Sequence, residues 1–406
     1  MKESINQILN SFLYPKALIE RLIAQYEVKR TYSLLDALKK PVTQYTLRVN
    51  TLKCTAEELI DQFAEEDVDA HQHPCYDDVV QIRLSGPNEL PVHQKTVTVD
   101  KFAAEAVMLG AHLYAPGALR SRKTRLGDKV SVVDKYDHHV GSGISGMTSR
   151  EMLEAKKGIA VDITHSMYTL PHLRETKAYE KGLFYSQSLP AILTSKILDP
   201  QPGETIIDMN AAPGGKTTHI AQLTSDDAKV IAIDRSKPKI KRMQRHCERL
   251  GIQSIKLIHG DSCKLQTLLP SVEVDRILID PPCSALGVRP KLYEIWQVDE
   301  LDAIARYQRR FIKEATNVLK PGGVIVYSTC TLTQEENELN MKSAYTELGL
   351  EILSHEPFEG VSGELLSDFP HTETEKLQRF YPDIHDTPGF FIGKLQKPLD
   401  KKMSAI

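Results

Sequence analysis

From about residue 171 onward, short runs rich in β-branched residues alternate with helical segments of ten to twenty residues. The runs are ETIIDM (204–209), KVIAID (229–234), SIKLI (254–258), VDRILID (274–280) and GGVIVYSTC (322–330), and helical spacing at 216–224, 236–250 and 299–319 separates several of them. In the last of these Leu301, Ile304, Ala305, Phe311, Ile312, Ala315, Val318 and Leu319 share one face. Strands that are apolar along their whole length are covered on both faces, and strands joined through helices run parallel. The pattern therefore predicts an α/β fold with a doubly wound parallel sheet. A later run, GFFIGKL (389–395), predicts a last, antiparallel strand.

In such a sheet the ligand sits beyond the carboxyl ends of the strands, and the unusual residues fall there. The first run ends in Asp208 and enters NAAPGGK (210–216); the second ends in Asp234; the third is followed by Gly260-Asp261; the fourth ends in Asp280-Pro281-Pro282-Cys283; the fifth ends in Ser328-Thr329-Cys330. GGKT (214–217) resembles the end of a phosphate-binding loop, but that motif needs Gly six residues before the Lys, and Asn210 stands there. A glycine-rich turn followed by an acid at the end of the next strand still fits a nucleoside. Gly214 and Gly215 would let backbone approach it, and Asp234 would bond the ribose hydroxyls.

Six cysteines without a C-x-x-C pair are neither a disulfide framework nor a zinc spacing, so the expectation is a reduced, cytoplasmic protein with no metal. Most such thiols are packing residues. Cys283 and Cys330 stand apart, because both fall on strand ends in the expected crevice. No apolar run reaches the ~20 residues that cross a bilayer, and no secretory signal is evident at the N-terminus. His219 and His259 have no partner pattern and read as structural.

The first 170 residues have another character. Residues 17–29 and 55–66 have helical spacing, with YTLRVNTLK (45–53) alternating like a strand between them. VTVD (97–100) leads into an alanine-rich helix (102–111), then a basic stretch and the strand-like GDKVSVVD (127–134). The expected division is 1–91, a small α+β domain; 92–170, a second unit; and 171–406, the doubly wound domain.

At this point the sequence resembles the Nol/Nop/Sun family of RNA cytosine-5 methyltransferases, which use S-adenosylmethionine. NAAPGGKTTHIAQL looks like the family's first motif, DPPCS (280–284) its fourth and STCTLTQEENE (328–338) its sixth. YTLRVNTLK resembles the family's N-terminal RNA-binding segment, and FYPDIHDTPGFFIGKL (380–395) its C-terminal signature. Residues 92–166 resemble a PUA domain, an RNA-binding β-barrel. With CSALGVRPK (283–291), the whole looks like the PUA-containing subgroup that modifies tRNA near its acceptor end. Asn210 stands where a Cys is commoner, and Pro388-Gly389 where Asp-Gly is common.

The resemblance implies a Rossmann-like methyltransferase sheet and a set of roles. Cys330 would be the nucleophile, Cys283 would assist its elimination, Asp280 would hold the cytosine, and Lys216 would contact the target or lower the thiol pKa. Asn210, Ala211, Ala212, Pro213, Gly214, Gly215, Lys216, Asp234, Asp261 and Asp280 would bind the cofactor. The target base must be flipped out or unpaired to reach such a pocket. The implied activity is methylation of an acceptor-stem cytosine, position 72 of tRNA, by a monomeric enzyme with no membrane partner. Ribosomal RNA is the alternative substrate, and a catalytically silent RNA-binding or assembly factor is the alternative of another class.

A net charge of −3, from 51 basic and 54 acidic side chains, hides a local excess. Residues 92–170 carry 11 basic and 8 acidic side chains, which leaves −6 for the remainder. Arg120, Arg122, Lys123 and Arg125 cluster with no acid between Ala106 and Gly127, and are expected to meet RNA phosphates. Arg289 and Lys291 are expected beside the flipped base, with Arg48 the weakest candidate of the set.

Overall fold

The computed structural model describes residues 2–270 and 272–399; the extreme ends of the first and third expected domains lie outside them. Three sheets organise the chain.

The predicted doubly wound sheet forms. Thr205–Asp208, Lys229–Asp234, Ile255–His259, Val274–Ile279 and Leu319–Thr329 are its five parallel strands, in the spatial order third, second, first, fourth, fifth. Phe390–Gln396 then pairs antiparallel with the fifth, as its sequence predicts. Ile206, Ile207, Val230–Ile233, Ile277–Ile279 and Ile325–Tyr327 are all buried, which is why these strands are apolar without alternation. The third strand lies at the sheet edge and is only half-buried. Helices Gly215–Leu223, Lys237–Leu250 and Val298–Val318 match the predicted segments within a residue or two. Helices Leu189–Leu198 and Glu338–Leu348 are additions that the apolar spacing did not announce.

The first sheet is antiparallel, in the order Phe184–Ser186, Gln44–Val49, Tyr76–Arg83, Ala70–His73. Its edge strand comes from beyond residue 170, where the sequence reading begins the third domain. Helix Ala56–Ala64 opens with a Thr55–Glu58 capping box and buries Leu59 and Phe63 with Leu47, Val49 and Val80. Helix Lys16–Leu38, interrupted at Glu27, packs elsewhere. Its Leu18, Leu22, Tyr26 and Leu34 join Leu286, Leu301, Leu332 and Tyr381 of the third unit in one core.

The second sheet has six strands between Lys95 and Ser166, with Lys95–Val99 parallel to Lys129–Val133 and every other pairing antiparallel. Val97, Val99, Val130, Val132, Val140 and Val161 form its separate core. Among the described residues no helix is long and apolar enough to cross a membrane.

Candidate active site

The sheet order reverses between the first strand and the fourth, so their carboxyl ends diverge and leave a crevice between the connections above them. Asp208 ends the first strand and holds the loop that follows. Thr217 Oγ1 donates to its Oδ2 (2.6 Å) and the Asn210 N–H to its Oδ1 (3.2 Å). Burial pushes its pKa up to about 7, and the neighbouring Asp280 charge adds to this. Gly214 (φ 107°) caps the next helix in the left-handed region, and a Cβ there would lie 2.9 Å from Met243 Cγ. Backbone conformation and close approach both demand glycine.

A cleft of about 300 Å³ opens beyond the strand ends. Asn210, Ala212, Asp234, Asp261 and Asp280 line it, opposite the apolar surfaces of Pro282, Tyr307 and Phe311. Backbone amides orient the two outer acids: Ser236 N–H donates to Asp234 Oδ1 (2.7 Å) and Cys263 N–H to Asp261 Oδ1 (3.0 Å). Asn210 Oδ1 is buried without a hydrogen-bond partner. Carboxylates, an unpaired buried acceptor and apolar walls together fit S-adenosylmethionine, a nucleoside with a cationic, amine-bearing tail. The remaining loop residues act differently. Ala211 is buried and its N–H ties the loop to Ile233 O (3.0 Å), Pro213 is exposed, and Gly214 and Gly215 shape the turn.

The fourth and fifth strands pair directly, so the turns that follow them are neighbours. Cys283 and Cys330 meet with their sulfurs 3.3 Å apart. Asp280 stands beside them, fixed by Lys216 Nζ on Oδ2 (2.6 Å) and by Ser328 Oγ on Oδ1 (3.0 Å). The hydrogen bond from Cys283 lowers the Cys330 thiol pKa, helped by Lys216 and Lys291 against burial and Asp280. The same hydrogen bond, with burial, raises that of Cys283. Of the two thiols, Cys330 is thus the more acidic and Cys283 the less acidic.

Several residues that build this site were not singled out from the sequence. Ser284, Gln308, Glu336 and Asn337 are buried and bond the two cysteine turns from behind. Arg379 and Glu338 form a fully buried ion pair behind them, with Tyr26 OH and Leu332 O completing the guanidinium's bonds. The available signal was the polar run QEENELN (334–340) directly after a strand-end cysteine.

The basic candidates separate. Arg120, Arg122, Lys123 and Arg125 are all exposed. Arg289 and Lys291 are corrections to the sequence reading. Arg289 is buried because its guanidinium donates to the carbonyls of Lys40, Pro41 and Pro382 and pairs with Asp386. Lys291 is buried in an ion pair with Glu294 (2.9 Å). Arg48 is likewise internal, donating to Gln187, Gln222, Thr218 and Gly215 O. His219 is fully buried beside Asp78, and burial lowers its pKa to about 3. Among the described residues one trio, His112, His172 and Glu175, gathers ligand-type atoms within 4.8 Å of one another. There His112 Nδ1 lies 3.2 Å from the Ile163 N–H and 3.1 Å from Asp162 Oδ1.

Residues 195–396 match the family model for 16S rRNA methyltransferase RsmB/F, residues 95–167 the PUA domain, and residues 14–89 the ferredoxin-like domain of RsmF/B-like methyltransferases. The chain is 42% identical to a tRNA (cytosine(72)-C(5))-methyltransferase of Pyrococcus horikoshii, over 95% of this chain and 98% of that one. It is 33% identical to the human tRNA (cytosine(72)-C(5))-methyltransferase NSUN6, over 98% and 92%. The crystal structure of NSun6 from Pyrococcus horikoshii with SFG, an S-adenosylmethionine analogue, superposes with a TM-score of 0.87 over 96% of this chain and 99% of that one. With its strand-end cysteine pair, its cofactor cleft and its PUA unit, the chain belongs to the RsmB/F (Nop/Sun) family of S-adenosylmethionine-dependent methyltransferases.

Proposed function

We propose that this enzyme methylates carbon 5 of a cytosine in tRNA, at position 72 of the acceptor stem, through a covalent bond between Cys330 and the base. The observation that carries this reading is the Cys283–Cys330 contact beside a fixed Asp280. Carbon 5 of cytosine is a weak nucleophile. Addition of the Cys330 thiolate to carbon 6 gives carbon 5 enamine character. Asp280, oriented by Lys216 and Ser328, holds the base by its ring nitrogen and exocyclic amine. Asn210, Asp234 and Asp261 would hold S-adenosylmethionine, which when bound supplies an electrophilic methyl group. Once carbon 5 carries its methyl group, its proton passes to solvent and the electrons of that C–H bond re-form the carbon 5–carbon 6 double bond. Cys330 is thereby expelled from carbon 6 as its thiolate, assisted by the hydrogen bond of the Cys283 thiol. The exposed cluster Arg120, Arg122, Lys123 and Arg125 on the PUA unit supplies phosphate contacts.

Relatives named for cytosine 72 of tRNA, aligned over nearly the whole chain, favour tRNA over ribosomal RNA. The paired thiols favour an enzyme over a silent scaffold, which has no use for both. A monomer in the cytoplasm completes the reading, in keeping with six free cysteines. Bisulfite sequencing of tRNA incubated with enzyme and S-adenosylmethionine tests it, the expected result being a protected cytosine at position 72. Cys330→Ala should abolish methylation and keep cofactor affinity, and retained turnover would remove it as the nucleophile. Cys283→Ala should accumulate a denaturant-resistant protein–RNA adduct.

A further inference from the structure

We propose that Glu336 is a positioning residue for the cysteine pair: its carboxylate fastens the turn of Cys283 to the turn of Cys330, and its charge keeps Cys283 the thiol of the two. The proposal rests on the reading of Cys330 as nucleophile given above.

Glu336 is fully buried. Its Oε2 accepts from Ser284 N–H (2.9 Å), next to Cys283, and from Gln308 Nε2 (2.9 Å). Its Oε1 meets the hydroxyls of Ser284 and of Thr333 (2.9 Å), the second of these on the Cys330 turn. Ser284 Oγ in turn meets Thr331 Oγ1 (2.6 Å), the residue after Cys330. Four donors saturate the lone pairs of one carboxylate, and none of them is a cation. Gln308 cannot turn over, because its Nε2 also donates to Pro282 O and its Oε1 accepts from Tyr327 OH and Asn340 Nδ2. The node thus grips residues on both sides of the sulfur contact.

The groups facing the two sulfurs come from several elements. Cys283 is met by Cys330 and by the charge of Glu336, with Tyr327 nearby. Cys330 is met by Asp280, Lys216 and Lys291. Negative Glu336 disfavours a Cys283 thiolate, whereas both lysines favour a Cys330 thiolate. The asymmetry between two chemically identical side chains thus has a structural origin: on the Cys283 side the hydrogen bond with Cys330 and burial come first, and the charge of Glu336 adds to them.

Glu336→Gln separates charge from fit. A glutamine oxygen in place of Oε2 accepts from both N–H donors, and its amide donates to the two hydroxyls. The test is alkylation by iodoacetamide across pH in RNA-free protein, with the peptides of Cys283 and Cys330 resolved by mass spectrometry, since alkylation follows the thiolate fraction. In the parent enzyme Cys330 should react at lower pH than Cys283. In Glu336→Gln the midpoint for Cys283 should fall by about one pH unit at unchanged Tm and cofactor affinity. The alkaline limb of methyl transfer should move down with it. Glu336→Asp, which keeps the charge, should retain the parent midpoint, and it judges the charge role if the glutamine variant fails to fold. An unmoved Cys283 midpoint in folded Glu336→Gln, or a fallen one in folded Glu336→Asp, overturns the proposal. Because no turnover is needed, the result stands apart from the nucleophile reading, which Cys330→Ala tests.

Discussion

Asp208 holds the cofactor loop from both sides, yet its carboxyl is sealed from water. Its folded pKa of about 7 lies above the ordinary value near 3.9, so folding favours the protonated form. That stabilisation is complete in acid below the ordinary value and is lost as pH rises through about 7. Between those limits the loss approaches about 1.4 kcal/mol per pH unit. Asp208→Asn keeps the shape and removes the titration, because the amide can donate to Thr217 Oγ1. Thermal melts at pH 5 and pH 8 should show the parent losing stability relative to the variant, and parallel curves would contradict the assignment. The position of Asp208 at a strand end was legible from the sequence. Its role in closing a loop was not, since that depends on Thr217 lying within reach after a turn.

At the level of elements, a buried cation helps to join the N-terminal sheet to the methyltransferase unit. Arg48 reaches from the strand Gln44–Val49 to the first turn of the helix that follows the glycine loop, bonding Gly215 O and Thr218 Oγ1. Gln187 and Gln222 take its remaining donors, and burial lowers its pKa to about 9. Arg48→Met leaves those acceptors unpaired in the interior. It should cost about 2–4 kcal/mol in denaturant unfolding. Folded variant should bind RNA as the parent does; weakened binding at parental stability would return Arg48 to the RNA surface. Alternation in YTLRVNTLK announced this strand but not what its inward face meets, because that face packs on a helix some 170 residues away.

Across the whole molecule, charge is partitioned rather than averaged. The exposed cluster at Arg120, Arg122, Lys123 and Arg125 belongs to the PUA unit. That unit is tied to the catalytic one by Lys101, whose partner Glu294 also pairs with the catalytic unit's own Lys291. Neutralising the four exposed residues should weaken RNA binding and reduce the slope of log K against log salt by up to about 3–4. An unchanged slope would take the cluster out of the interface. The doubly wound sheet, its strand order of polar ends and the paired cysteines were readable because apolar periodicity and strand-end residues are local properties of the chain. Which charged residues remain at the surface was not. Arg289 and Lys291 look in sequence like the Arg120 cluster, yet Arg289 is consumed by carbonyls of residues 40 and 41 and Lys291 by an ion pair made at an interdomain seam. The run QEENELN likewise has the composition of a solvated turn, but its Glu336, Asn337, Glu338 and Asn340 are buried behind the turns of Cys283 and Cys330. A side chain's type is written in the chain, whereas burial of a polar group depends on partners that arrive from distant segments when the fold closes.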